Sequence, residues 1–96
     1  MKVKKKPEKI GKIRLRDGVA FRIIEGEAAV LRPDDGTLMI LNETGSFILN
    51  NIRKGMLIDT LIKKVVDEYD TTLKKAEKDV KSFLKILEKE SIVEIS

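Results

Sequence analysis

The stretch Gly36-Thr37-Leu38-Met39-Ile40-Leu41-Asn42-Glu43-Thr44-Gly45 constrains the fold more than any other part of the chain. Leu38 to Leu41 are four apolar residues in a row, bounded by Gly36 and Asn42. A run this short between turn residues reads as a strand. Asn42 is a good helix N-cap, because its side-chain oxygen can accept from an orphan amide of the first turn. Glu43 follows where the positive end of a helix dipole favours an anion. The stretch is therefore a joint between a strand region and a helical region.

The segments on either side take opposite periods. Upstream, Val19 to Ile24 and Glu27 to Leu31 are rich in strand formers, separated by the tight turn Glu25-Gly26. Arg32-Pro33-Asp34-Asp35-Gly36 is a hairpin loop, in which Pro sets φ and Gly permits positive φ. Thr37 to Leu41 is then a third strand, and connections this short imply an antiparallel meander. Downstream, Asn42 caps a helix of about three turns with Phe47, Ile48 and Ile52 as its stripe, ended near Gly55. Gly45 inside this helix costs roughly 1 kcal/mol against Ala, which close backbone packing would offset. Leu57 to Tyr69 is a second helix, with Leu57, Leu61, Val65 and Tyr69 on a wide apolar face. Thr72 caps a third, Leu73 to about Lys89, whose core stripe is Leu73, Ala76, Val80, Phe83, Leu84 and Leu87. Ile92, Val93 and Ile95 form a short closing strand or an apolar tail. The order gives an α+β domain: a three-stranded antiparallel sheet followed by three helices.

Ninety-six residues make one domain. The formal charge of +4 comes largely from a basic start. The chain divides into a basic, flexible segment over 1–18, within which Lys12 to Arg16 alternates like a short strand, and a folded domain over 19–96. A basic end suits nucleic acid, anionic lipid or an acidic peptide, and equally a solubilising tail. The chain has no cysteine and no histidine, which removes disulfides, thiolate metal sites and Cys/His or Ser/His mechanisms. The lysine-rich start has no apolar run of signal-peptide type, and nothing approaches the ~20 apolar residues of a membrane span, so the expected location is cytoplasmic.

Little in the chain suits catalysis. Asp34-Asp35 is a carboxylate pair, but beside Pro and Gly it reads as loop capping. Glu25, Glu27, Glu43 and Asp59 are scattered, no glycine-rich phosphate loop is present, and no nucleophile has a base; the chain reads as a non-enzyme without cofactor or metal. The second and third helices could form a helix-turn-helix presenting Thr71, Thr72, Lys74, Lys75 and Lys78 to DNA. That face lacks the Arg, Asn or Gln that commonly read bases, and Glu77 and Asp79 oppose phosphate. A solvated helix face accounts for the same charges.

The third strand is more specific. An edge strand ordinarily carries charge, Pro or a bulge that blocks pairing, and Thr37 to Leu41 has none of these. Its side chains alternate, Leu38 and Ile40 on one face, Met39 and Leu41 on the other, and both faces are apolar. An open apolar edge suits β-augmentation, in which a peptide adds as a further strand. A strand that is central, fully buried or paired with a second copy would read the same way. On the third helix, Lys75, Asp79, Ser82 and Ile86 make a stripe beside the core stripe, which fits a groove wall or an ordinary boundary.

Taken together, Ala29-Val30-Leu31, Gly36-Thr37, Leu41-Asn42-Glu43-Thr44-Gly45, Ile48 and Gly55 resemble the PqqD-like family, the RiPP recognition elements. The resemblance continues through Leu61, Val65, Tyr69-Asp70, Ala76-Glu77, Asp79-Val80, Phe83-Leu84 and Leu87-Glu88, covering roughly Val19 to Val93. It implies a winged-helix-like fold of three strands and three helices. It also implies an adaptor that binds the leader of a ribosomally made precursor peptide and delivers it to a modifying enzyme, often a radical-SAM protein. The leader would add antiparallel to the third strand, against the third helix. The expected peptide-binding residues are Thr37, Leu38, Met39, Ile40, Leu41, Lys75, Asp79, Ser82 and Ile86, in a monomer or homodimer. Leu49, Leu57 and Leu73 depart from the family's frequent Trp, Thr-type cap and Pro, and Met39 is more apolar than the usual occupant.

Overall fold

The computed structural model describes residues 11–96. Ala20–Ile24 (β2), Glu27–Leu31 (β3) and Leu38–Leu41 (β4) form an antiparallel meander in the order β2-β3-β4. Glu25 and Gly26 both take positive φ, 53° and 84°, as a two-residue turn matched to strand twist requires. Register is set by the inner face: Ala28, Val30 and Leu41 are buried, and Met39 packs against them. A slip of one residue would turn these side chains out to solvent.

Asn42 caps the first helix, Glu43–Ile52 (α1), its side chain accepting from the Gly45 amide at 2.8 Å. The helix buries Ile48, Leu49 and Ile52 and lies across β3 and β4. The second helix, Ile58–Tyr69 (α2), ends at Asp70 in the left-handed region (φ 50°), and Thr72 caps the third, Leu73–Lys89 (α3), by accepting from the Lys75 amide at 3.1 Å. Ala76, Val80, Leu84 and Leu87 are the buried line of α3, and they close the core over α2.

A second antiparallel sheet lies outside the meander. Lys12–Leu15 (β1) is its central strand, between Met56–Leu57 (β5) and Val93–Ile95 (β6). Three expectations change here. Residues 12–15, grouped above with the flexible basic segment, belong to the folded body, because Ile13 is fully buried and β1 pairs on both sides. The expected flexibility of residues 1–10 lies outside the described residues. Leu57, expected on the apolar face of α2, pairs with Lys12 and is 42% exposed, and the helix starts one residue later. Leu73 likewise leaves the core stripe: it is the first residue of α3 and 60% exposed, so the buried line starts at Ala76. The remaining elements follow the order expected, three strands and then three helices. Among the described residues no helix is long and apolar enough to cross a membrane, and no cluster of His, Cys, Asp or Glu could hold a metal ion.

Candidate functional site

The meander ends at β4, so one long side of β4 has no neighbouring strand among the described residues. Which of its backbone groups face that side follows from the register. The Arg32 amide donates to the Thr37 carbonyl at 2.9 Å, which makes 32 and 37 a hydrogen-bonded pair. Such pairs recur at every second position, so Val30–Met39 and Ala28–Leu41 are of the same kind. Thr37, Met39 and Leu41 therefore turn their backbone groups toward β3, with the Ser46 hydroxyl set between the Ala28 amide and the Leu41 carbonyl and the Thr37 amide taken by Asp35. Leu38 and Ile40 direct theirs away from the sheet. No backbone hydrogen bond from outside the ladder reaches either one among the described residues. The pairing is regular, without bulge, Pro or charge, so nothing blocks a further strand.

Thr37 itself is committed elsewhere. Its carbonyl accepts from Arg32, its amide donates to Asp35 Oδ1 at 3.0 Å, and its hydroxyl donates to the same oxygen. The Thr37 hydroxyl and then its amide hold the Asp35 carboxyl below its ordinary value, helped by the Arg32 charge and opposed by desolvation. This loop fixes the chain as it enters β4.

The two faces of β4 differ sharply in exposure. Met39 is half-buried and Leu41 is 7% exposed, while Leu38 and Ile40 are 62% and 59% exposed. The sequence left open which face meets the helices; it is the face of Met39 and Leu41.

On that face α3 is fastened at two points to the segments that flank β4, its exit near the start of the strand and its middle near the strand's end. At one, Arg32 reaches Glu90 just past the end of α3, with Nη1 and Oε1 2.7 Å apart. At the other, the Phe83 ring lies against the backbone of Gly45, so close that a β-carbon there would meet Phe83 Cζ at 2.9 Å and Leu41 Cβ at 3.3 Å. The seven steps from Phe83 to Glu90 rise ~10 Å. The four steps from Thr37 to Leu41 span ~13 Å. Ile86 lies between the fastenings and is 54% exposed. The strip of surface between β4 and α3 that these two points bound, with Phe83 at one end and Ile86 exposed along the helix, is the channel.

The channel continues past Phe83 into a cleft of about 380 Å³ lined by Asn42, Gly45, Ile48, Tyr69, Lys75 and Asp79, among others. Lys75 and Asp79 pair across one turn at 3.6 Å with both side chains exposed, a weak tie at the rim. Of the α3 stripe, then, Lys75 and Asp79 meet at the cleft and Ile86 stands between the fastenings. Ser82 is exposed and lines neither. Arg32 and Glu90 had no local signal as partners. Ser46, also missed, falls three residues before Leu49 on the buried side of α1, where a polar residue needs a partner. It has two: its Oγ accepts from the Ala28 amide at 2.6 Å and donates to the Leu41 carbonyl at 3.2 Å. The hydroxyl thus stitches α1 into the end of the β3–β4 ladder.

The family model for Coenzyme PQQ synthesis protein D (PqqD) matches residues 27–93. Two solved structures share the fold. TbiB1, solved in complex with the TbiA(beta) leader peptide, is 25% identical, with a TM-score of 0.80 over 84% of this chain and 94% of that one. Lasso peptide synthetase B1, complexed with the leader peptide, is 20% identical, with a TM-score of 0.75 over 85% of this chain and 96% of that one. No curated protein matches significantly.

Proposed function

The chain belongs to the PqqD family, and on that premise we propose that it is a non-catalytic adaptor for a precursor peptide. It takes the leader as a fourth strand on β4 and hands the peptide to a modifying enzyme, of radical-SAM type, in the cytoplasm. The observation that carries this reading is the open side of β4, where Leu38 and Ile40 offer both donors and acceptors beside an apolar channel. The fold similarity to TbiB1, a protein solved with a leader peptide, points the same way. Strand addition supplies affinity through the main chain, and the channel supplies selectivity through alternate side chains. Met39 and Ile86 would shape the channel, and Lys75 at its far end would favour an acidic leader residue. Of the lysines that could face DNA, Lys75 is paired with Asp79, and the same helix face lacks the Arg, Asn or Gln that commonly read bases, so the duplex-binding reading gains no support.

The test uses a displayed library of random ten-residue peptides, panned against the full chain. Enriched peptides should bind the wild type, and Ile86→Glu should reduce binding at least tenfold with the helical circular dichroism unchanged. A chain that enriches no peptide is not such an adaptor.

A further inference from the structure

The side of the meander away from the helices is also apolar. Cross-strand pairing sets two rows there: Arg22, Ala29 and Ile40 in one, and Ala20, Leu31 and Leu38 in the next. Ile24, Leu31, Leu38 and Ile40 on this face are 55%, 46%, 62% and 59% exposed. Between Ile24, Ala29 and Ile40 lies a depression of about 760 Å³, whose rim carries Glu25, Glu27 and Glu43. A single-sided sheet ordinarily turns polar residues outward. Here the strand at the open edge puts two large apolar side chains, Leu38 and Ile40, on the outer face.

We infer that this outer face is a second recognition surface for the peptide, occupied by the side chains that the added strand turns away from the channel. The inference rests on the adaptor reading above. The hydrogen-bonding register leaves one arrangement. Only Leu38 and Ile40 have outward backbone groups, so an antiparallel strand places one residue, k, opposite Ile40 and another, k+2, opposite Leu38. Directly opposed residues share a face. Residue k therefore extends the Arg22–Ala29–Ile40 row, and k+2 extends the Ala20–Leu31–Leu38 row. Residue k+1 falls opposite Met39 and points into the channel beside α3.

The peptide is thus read on both faces by three successive residues. A ligand recognised by the channel alone would need apolar residues at alternate positions. A ligand read on both faces needs them at k, k+1 and k+2 in succession, with β-branched or aliphatic residues at k and k+2 preferred as cross-strand partners of Ile40 and Leu38. Leu38 and Ile40 are then specificity-determining residues, outside the channel that walls the opposite face.

Panning the same random ten-residue library separates the possibilities. The wild type should enrich three consecutive apolar residues. Ile40→Lys should favour Asp or Glu immediately before the central apolar residue. Leu38→Lys should move that acidic preference two residues toward the peptide C-terminus, immediately after it. Each opposed pair should change affinity by up to about fivefold. Because both side chains are exposed, the variants should keep the wild-type melting temperature. Ile40→Thr, which retains strand propensity, should simply lose the apolar preference at k. Alternating apolar positions in the wild type, with profiles unmoved in all three variants, would overturn the inference while leaving the adaptor reading standing. An acidic preference that moves toward the N-terminus would overturn the antiparallel register. If the chain is a dimer in solution that Ile40→Lys converts to monomer without altering enrichment, the face belongs to a second copy. Failure of the wild type to enrich any peptide would overturn both readings.

Discussion

Ser46 Oγ sits 2.6 Å from the amide nitrogen of Ala28, eighteen residues earlier in the chain. The same hydroxyl donates to the Leu41 carbonyl at 3.2 Å, and the side chain is buried. One oxygen therefore satisfies two backbone groups that would otherwise be stranded in the core, at the point where β4 gives way to α1. Ser46→Ala leaves both unpaired, and an unsatisfied buried group costs about 1–3 kcal/mol. For a domain of this size the melting temperature should fall by about 4–8 °C per kcal/mol. Urea denaturation measures the change, and a loss below about 0.5 kcal/mol would show that the hydroxyl is replaceable.

Gly45 meets a different constraint. A methyl group here should gain about 1 kcal/mol of helix propensity. It would also press on Phe83 Cζ, on the capping oxygen of Asn42 at 3.2 Å, and on Leu41 Cβ. The ring must move, and it is the wall between channel and cleft. Gly45→Ala should therefore leave stability within about 1 kcal/mol, since propensity gained offsets packing lost. Affinity for peptides selected on the wild type should fall, because the Phe83 ring is displaced. Parallel thermal melts and peptide titration check this, and a variant that binds as the wild type does would show the ring is not part of the wall.

How far the sequence reveals these features depends on distance along the chain. The β4–α1 joint was legible because its signals are local: four apolar residues, a turn glycine, and Asn42 three residues before the amide that it caps. The whole of α3 was legible through its period, apart from Leu73, exposed at its first position. The second sheet was legible only in pieces: Lys12 to Arg16 alternates and Ile92, Val93 and Ile95 suit a closing strand, but their pairing was not, because the partners lie far apart, Lys12 with Leu57 and Leu15 with Val93. In the site, alternation identified the two faces of β4 from sequence alone. The outward direction of the Leu38 and Ile40 backbones needed the Arg32–Thr37 bond as an anchor, and that bond is a fact of the folded loop.

The loop before β4 should respond to acid. Asp35 accepts from both the hydroxyl and the amide of Thr37, with Arg32 nearby, and its carboxyl is held below the ordinary value of 3.8. A depressed carboxylate stabilises the fold above the unfolded value, and that contribution disappears as pH falls through the folded value. The loop should thus be intact above pH 5 and loosen progressively below about pH 4. A carboxyl-carbon titration should put Asp35 below 3.8. Thr37→Val, which removes the leading cause, should move the midpoint upward. A midpoint at the ordinary value in the wild type would remove the contact from solution.

Arg32 and Glu90 close the end of the channel opposite Lys75. Their side chains are 23% and 34% exposed, and Arg32 also approaches Asp35 at 3.6 Å. A partly exposed pair of this kind contributes at most about 1 kcal/mol of stability. Its greater effect should be on the channel, because the contact ties the exit of α3 to the loop that feeds β4. Freed from it, Ile86 and Met39 can separate, and a bound strand loses contact with one wall. Arg32→Gln and Glu90→Gln should each lower affinity for selected peptides, and the double variant should be no worse than either single one, since each change releases the same fastening. Additive losses would mean that Arg32 and Glu90 act separately, one on the loop and one on the helix end.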